Sequence, residues 1–211
     1  MKLVVFGATG GTGKQVVERA LATGHDVTAV ARKPDAIVTK HDRLRVVKGD
    51  VLDGASVAAA IAGADAVVSA FGPANNKQPG TLMSDGVANL VRACEQAGVK
   101  RFVFESGLMA GDGTGLSWFG RLGLAIYRWL YTKLAADKRI AETTIRGSAL
   151  DYVIVRPPAL TDGPARGTFV HGVDRRLSAA KKLAHADVAE FLIRACGDAA
   201  LARTTQSIGE P

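Results

Sequence analysis

The sequence predicts an α/β fold in which one doubly wound parallel sheet carries helices on both faces within a single domain. Short runs rich in Val, Ile and Phe recur at residues 3–6, 27–30, 44–47, 66–68, 102–104 and 152–155. Their near-continuous apolar character is that of strands buried on both faces. Stretches of helical character separate them at 11–23, 54–62, 83–97 and 117–146. The resulting alternation is that of right-handed crossovers in a parallel sheet. A glycine cluster between the first run and the first helix completes the pattern, because open sheets of this kind place a ligand loop there.

A chain of 211 residues, 47% hydrophobic and 22% charged, suits one domain with a continuous core and carries no compositional sign of disorder. No internal repeat, linker or low-complexity block interrupts it. The net charge is +7, but the basic residues are scattered. Their densest groups are Arg32-Lys33, residues 43–48, Arg175-Arg176 and Lys181-Lys182. No aromatic residues interleave with them as in a base-stacking platform, so no nucleic-acid partner is expected. A small polyanionic ligand accounts for part of the charge. Cys94 and Cys196 have no neighbouring Cys or His at metal-ligand spacing. They read as packing residues in a reducing compartment, with no disulfide framework and no metal. The N-terminal apolar run is too short for a signal core, and no stretch reaches membrane-spanning length. The expectation is a cytoplasmic protein without a membrane partner.

The loop Gly7-Ala8-Thr9-Gly10-Gly11-Thr12-Gly13 lies where a strand ends and a helix begins. Gly7 permits a tight exit from the strand, Gly10 lets backbone approach a pyrophosphate, and Gly13 allows close helix–strand packing. The helix start then offers unpaired N–H groups and a positive dipole end to phosphate. Lys14 follows Gly13, but Gln15 stands where a nucleoside-triphosphatase loop needs a hydroxyl, so that alternative is rejected.

After the second strand, an NAD-selective site carries a carboxylate for the ribose 2′-hydroxyl. This chain has Arg32 and Lys33 there instead. A guanidinium forks onto a 2′-phosphate and stacks on adenine, so NADP(H) is expected ahead of NAD(H). Asp50 follows the third strand and reads either as an adenine contact or as a turn cap. Asp53 reads as a helix cap.

The motifs GATGGTG (7–13), GDVLD (49–53), GADAVV (63–68), GVKRFVFESG (98–107), SALDY (148–152), VRPP (155–158) and ADVA (186–189) resemble the atypical short-chain dehydrogenase/reductase superfamily. Within it the chain is similar to the NAD(P)H-binding branch of biliverdin-IXβ/flavin reductases and NmrA-like proteins. The resemblance spans nearly the whole chain and implies a Rossmann-like sheet with NADP(H) across its carboxyl edge. It also implies that Gly7, Thr9, Gly10, Thr12 and Gly13 meet the phosphates, joined by Gly11 in the same loop. Arg32 would meet the 2′-phosphate with Lys33 beside it, and Asp50 and Val51 would flank adenine. Ala70, Phe71 and Gly72 would line the ribose. Ser106 would sit beside nicotinamide as a cofactor contact and the candidate catalytic residue, and Pro157 and Pro158 would border the carboxamide.

The chain lacks the Tyr-x-x-x-Lys pair of typical superfamily members. If Lys138 is the lysine counterpart, Leu134 occupies the tyrosine position, and neither Tyr127 nor Tyr131 has lysine four residues later. Ala159 stands where the biliverdin/flavin reductases carry histidine. A flavin or quinone accepts hydride without the missing phenol. The first expectation is therefore an NADPH-dependent oxidoreductase acting on a flavin, quinone or similar small aromatic acceptor. A non-catalytic NADP(H) sensor of NmrA-like type and an epimerase or dehydratase are the alternatives. His185 and Asp187 read as helix-start capping residues. The apolar face of segment 111–135, with Trp118, Leu122 and Trp129, reads as packed on the sheet or a second subunit, with a lid over the nicotinamide site as the functional alternative and a membrane-surface helix as a third.

Overall fold

The computed structural model describes residues 1–173, 175, 177 and 181–210; Arg176, half of one basic pair, lies outside them. Strand β1 (Lys2–Phe6) shows how the sheet is built. Its side chains alternate between faces. Leu3 and Val5 join one buried cluster with Val16, Val17 and Phe191, while Val4 and Phe6 join another with Leu90 and Ile145. Both faces are therefore dry, as a parallel sheet requires.

From β1 the chain continues through α1 (Gly11–Ala22), β2 (Asp26–Ala31), β3 (Leu44–Lys48), α2 (Gly54–Ile61), β4 (Ala66–Ser69), α3 (Leu82–Ala97) and β5 (Arg101–Glu105). Helices α4 (Trp118–Leu130) and α5 (Thr132–Arg146) precede β6 (Asp151–Arg156). Short strands β7 (Leu160–Thr161), β8 (Val170–Gly172) and β9 (Leu183–Ala184) lead to α6 (His185–Gly197) and β10 (Thr204–Gly209). The main sheet runs β3-β2-β1-β4-β5-β6-β10-β8, and β7 pairs with β9 separately. All main-sheet pairs are parallel except β10 with β8. Strand order reverses at β1, between β2 and β4, which marks the ligand-binding crevice of such sheets.

The expected strands all form, each extended by no more than one residue at either end. The margin was not expected. β10 is polar (TTQSIG) with only Gln206, Ile208 and Gly209 buried, so it lacks the apolar run that marks a central strand. The helical stretch expected over 117–146 is two helices. The break falls at Tyr131 (φ −123°, ψ 41°), where Thr132 Oγ1 donates to the carbonyls of Arg128 at 3.0 Å and Trp129 at 2.9 Å. A hydroxyl bonding back onto the preceding turn competes with helix continuation.

α5 is tied to α3 by a cap supplied from outside the helix. Thr81 precedes α3 without a side-chain cap. Asp137, 4% exposed, instead accepts from Met83 N at 2.9 Å and Ser84 N at 3.0 Å. Asp137→Ala leaves two buried donors unpartnered and is expected to lower the unfolding free energy by about 2–3 kcal/mol. An unchanged urea midpoint would show that α3 does not depend on this carboxylate.

Candidate active site

β1 ends at Gly7, which has φ +83°. A Cβ there would stand 2.5 Å from the carbonyl oxygen of Ala70, just beyond β4, and a Cβ on Gly13 would stand 2.1 Å from Gly7 O. Both glycines are thus demanded by backbone meeting backbone. Gly10 is different. Its added Cβ would come no closer than 3.3 Å to the chain, at Gly7 O, and Thr9, Gly10 and Gly11 are exposed. Gly10 begins α1 without any side-chain cap, and the first turn holds no acidic residue. The free N–H groups and the dipole of that turn therefore point into an open cradle suited to a paired phosphate.

The remaining expected cofactor residues gather along the same edge. Arg32 and Lys33 are exposed directly after β2. Gly49 N donates to Ala31 O at 3.1 Å, which keeps the β3 exit beside them. Asp50 Oδ1 accepts from Leu52 N at 3.0 Å, so the carboxylate caps its own turn, and Asp53 caps α2 through Ala55 N. Val51 and the Phe71 ring meet over Gly86, where a Cβ would lie 2.9 Å from each. Ala70 and Gly72 continue the wall from β4 toward a cavity.

That cavity has a volume of about 600 Å³ and lies at the carboxyl ends of β5 and β6. Leu108, Met109, Phe119, Leu124, Tyr127, Leu134, Pro157 and Pro158 make it largely apolar, and Glu105 and Lys138 bring charge to it. α4 forms its roof, a position compatible with the lid reading of that segment. The apolar face does not pack on the sheet, and its packing on a second subunit stays an expectation. Only Leu124 of α4 is buried, whereas Trp118 is 67% and Trp129 78% exposed.

Lys138 and Leu134 sit one turn apart on α5, both on the cavity wall. Lys138 Nζ donates to Ser106 O at 2.5 Å. Burial pulls its pKa down, against the pull of Glu105, Glu142 and Asp137. Burial pushes the Glu105 carboxyl up, opposed by Lys138 and by the Thr12 hydrogen bond. Thr12 Oγ1 donates to Glu105 Oε1 at 3.0 Å and lies 2.8 Å from His185 Nδ1. The Thr12 hydroxyl is therefore turned inward, away from the cradle. His185 packs on Gly11, where a Cβ would come within 2.6 Å of Nε2. Burial lowers its pKa, opposed by Asp162.

Ser106, at the cavity edge, directs its hydroxyl elsewhere. Oγ donates to Glu142 Oε1 at 2.7 Å. Glu142 also takes Arg156 Nε at 3.0 Å and Nη2 at 2.5 Å, and Arg146 Nη2 at 2.7 Å. These hydrogen bonds and charges hold Glu142 below the usual carboxylate range despite its burial.

The capping reading of His185 and Asp187 is corrected. α6 begins at Ala184 with no side-chain cap, because Asp187, fully buried, accepts Arg166 N and Gly167 N at 2.9 Å each from the loop after β7. Sequence reasoning missed Glu105. Its signal was an acidic residue ending the otherwise apolar run FVFE.

A family model described as NAD(P)H-binding matches residues 7–199. The YMR090W protein of Saccharomyces cerevisiae is 31% identical over 208 residues, covering 92% of this chain and 86% of that protein. The uncharacterized chloroplastic protein At2g34460 of Arabidopsis thaliana is 34% identical over 179 residues, and the match spans 80% of this chain but 62% of that protein. Among solved structures, ChuY, an anaerobillin reductase of Escherichia coli O157:H7, aligns with TM-score 0.82 at 27% identity, covering 100% of this chain and 98% of ChuY. A short-chain dehydrogenase/reductase of Veillonella parvula in complex with NADP aligns with TM-score 0.79 at 18% identity over 100% of this chain and 94% of its own, a likeness of fold. The open cradle at Gly7–Gly13, the reversal of strand order at β1 and the extent of the family match agree: the chain belongs to the NAD(P)H-binding family.

Proposed function

We propose that the protein is an NADPH-dependent reductase that passes hydride to a flat, largely apolar acceptor such as a quinone or flavin. The observation that carries this reading is an apolar cavity adjoining the dinucleotide edge, with the Lys138 ammonium and the Glu105 carboxyl among its few charged groups. The likeness to ChuY, an anaerobillin reductase, supports the same class of chemistry. Arg32, exposed at the end of β2, supplies the preference for the 2′-phosphate.

Bound NADPH supplies a hydride, and a quinone that takes it needs one proton to become the neutral hydroquinone. Lys138 Nζ holds a transferable proton on the cavity wall and is oriented by the Ser106 carbonyl. Its lowered pKa favours release of that proton. Glu105, Thr12 and half-buried His185 form a polar line from behind Lys138 toward the surface, along which the proton is replaced. The Thr12 hydroxyl donates to one neighbour while accepting from the other. Ser106 is a positioning residue, since its hydroxyl belongs to the Glu142–Arg156 cluster.

Stopped-flow measurement of NADPH oxidation with FMN and simple quinones tests the assignment. Enzyme-dependent turnover is expected, whereas cofactor binding with no turnover across the panel would leave the sensor alternative. Lys138→Met is expected to lower kcat by about 10²-fold, the scale of general-acid catalysis, with NADPH affinity little changed. Because the protonated amine is the active form and its pKa lies below 10.5, kcat falls as pH rises through that lowered value. The descending limb should vanish in Lys138→Met; its persistence there would move the proton to another group. Arg32→Ala is expected to weaken NADPH binding by about 1.5–3 kcal/mol while sparing NADH. Equal losses, measured by calorimetry, would remove the 2′-phosphate role.

A further inference from the structure

We propose that α4 docks the protein on an anionic lipid surface. Trp118, Phe119, Leu122, Ile126, Trp129 and Leu130 are each more than half exposed. At 100° per residue they fall within one third of the helix circumference. Trp118 and Phe119 stack on each other, with ring centroids 3.4 Å apart, rather than on the core. So concentrated an apolar face on a short surface helix marks an interaction site rather than chance exposure.

Charge selects the occupant. From residue 113 to residue 136 the chain contains Arg121, Arg128 and Lys133 and no Asp or Glu; Arg128 turns inward, its Nε donating to Met109 O at 3.0 Å, which leaves Arg121 and Lys133 for the surface. Arg121 and Lys133 are exposed. Two tryptophans on an apolar stripe with cations nearby are the composition of a helix lying in the headgroup region of a negatively charged bilayer. A second copy meeting this face across a two-fold axis would bring Arg121 and Lys133 of both copies together. Among the described residues no helix is long and apolar enough to cross a membrane, so the association is peripheral. It replaces the composition-based expectation of no membrane partner. Phe119 belongs both to this face and to the cavity wall, so docking sets the cavity rim against lipid.

The test is co-sedimentation of the full chain with phosphatidylcholine vesicles containing about one third phosphatidylglycerol. The protein should pellet with these vesicles, with a blue shift of tryptophan emission, and stay in solution with pure phosphatidylcholine. The double substitution Leu122→Glu/Trp129→Glu, outside the cavity lining, should abolish pelleting while preserving the thermal midpoint and NADPH binding. Charge reversal by Arg121→Glu/Lys133→Glu should weaken pelleting on the order of 10-fold. The readout needs no turnover, so its failure is separate from failure of the reductase assignment. No pelleting with anionic vesicles, or pelleting indifferent to both double substitutions, overturns the proposal. So does a concentration-dependent dimer that Leu122→Glu/Trp129→Glu disperses, seen without vesicle binding.

Discussion

The ligand edge of this protein depends on backbone touching backbone where β1 turns into α1. A methyl group on Gly7 would run into the Ala70 carbonyl, and one on Gly13 into the Gly7 carbonyl. Side-chain-free contact at both points lets α1 lie close enough to the sheet to seal Val16, Val17 and Ala20 into the core. The open helix start is then fixed over the point where strand order reverses. Its capacity for an anion follows from packing: four N–H groups lack intrahelical partners at any helix start, and here no side chain supplies a cap. Gly11 extends the same logic to the site, because its missing side chain is the space taken by the His185 ring.

Two carboxylates, Glu142 buried and Glu105 partly buried, show how environment separates structure from chemistry. Glu142 is surrounded by the guanidinium groups of Arg156 and Arg146 and by the Ser106 hydroxyl, and it is held ionised. Such a fork is costly to break because one partner would remain buried and unpaired. It fixes α5 against β6 and leaves no proton to exchange. Glu105 has one hydroxyl partner and a charge-coupled lysine whose own pKa is pulled down. Burial pushes its carboxyl up toward the range where a proton is shared. Neighbouring titratable groups with opposed shifts are the arrangement from which acid and base roles arise. On the proposed reading the chemistry lies on the Glu105–Lys138 side of β5, and the rigidity on the Ser106–Glu142 side.

Legibility from the sequence followed the physical range of each signal. Strand runs and the glycine loop are local patterns, and they appear where expected. Arg32, Val51, Phe71 and Pro157 come to one edge because topology alone puts strand ends there. Features that depend on distant partners were not legible. The Thr12 hydroxyl faces inward because Glu105 and His185 lie there, 93 and 173 residues away in sequence. Asp187 has the spacing of a cap but serves a loop instead, since its partners Arg166 and Gly167 come from 21 and 20 residues back. The Tyr131 break was obscured because an apolar pattern of helical period continues through it, and the interruption comes from a single hydroxyl, Thr132.

α4 shows why amphipathic periodicity left its role open. Periodicity tells that a helix has an apolar stripe, not which side the protein occupies. Here the large apolar residues face outward, and the side over the cavity carries Gly120, Gly123, Leu124 and Tyr127. Gly123 is not required by its own surroundings: it sits in regular helix, and an added Cβ would meet nothing within 4 Å. The same holds for Gly72 across the cavity, which has ordinary backbone and open space at its Cβ position. Neither glycine is explained by a turn or by close packing. What their small size provides is room between two walls, one rising from the dinucleotide edge and the other being the roof helix. On the proposed reading that room between Gly72 and Gly123, with Lys138 on the cavity wall, is where a flat acceptor would lie.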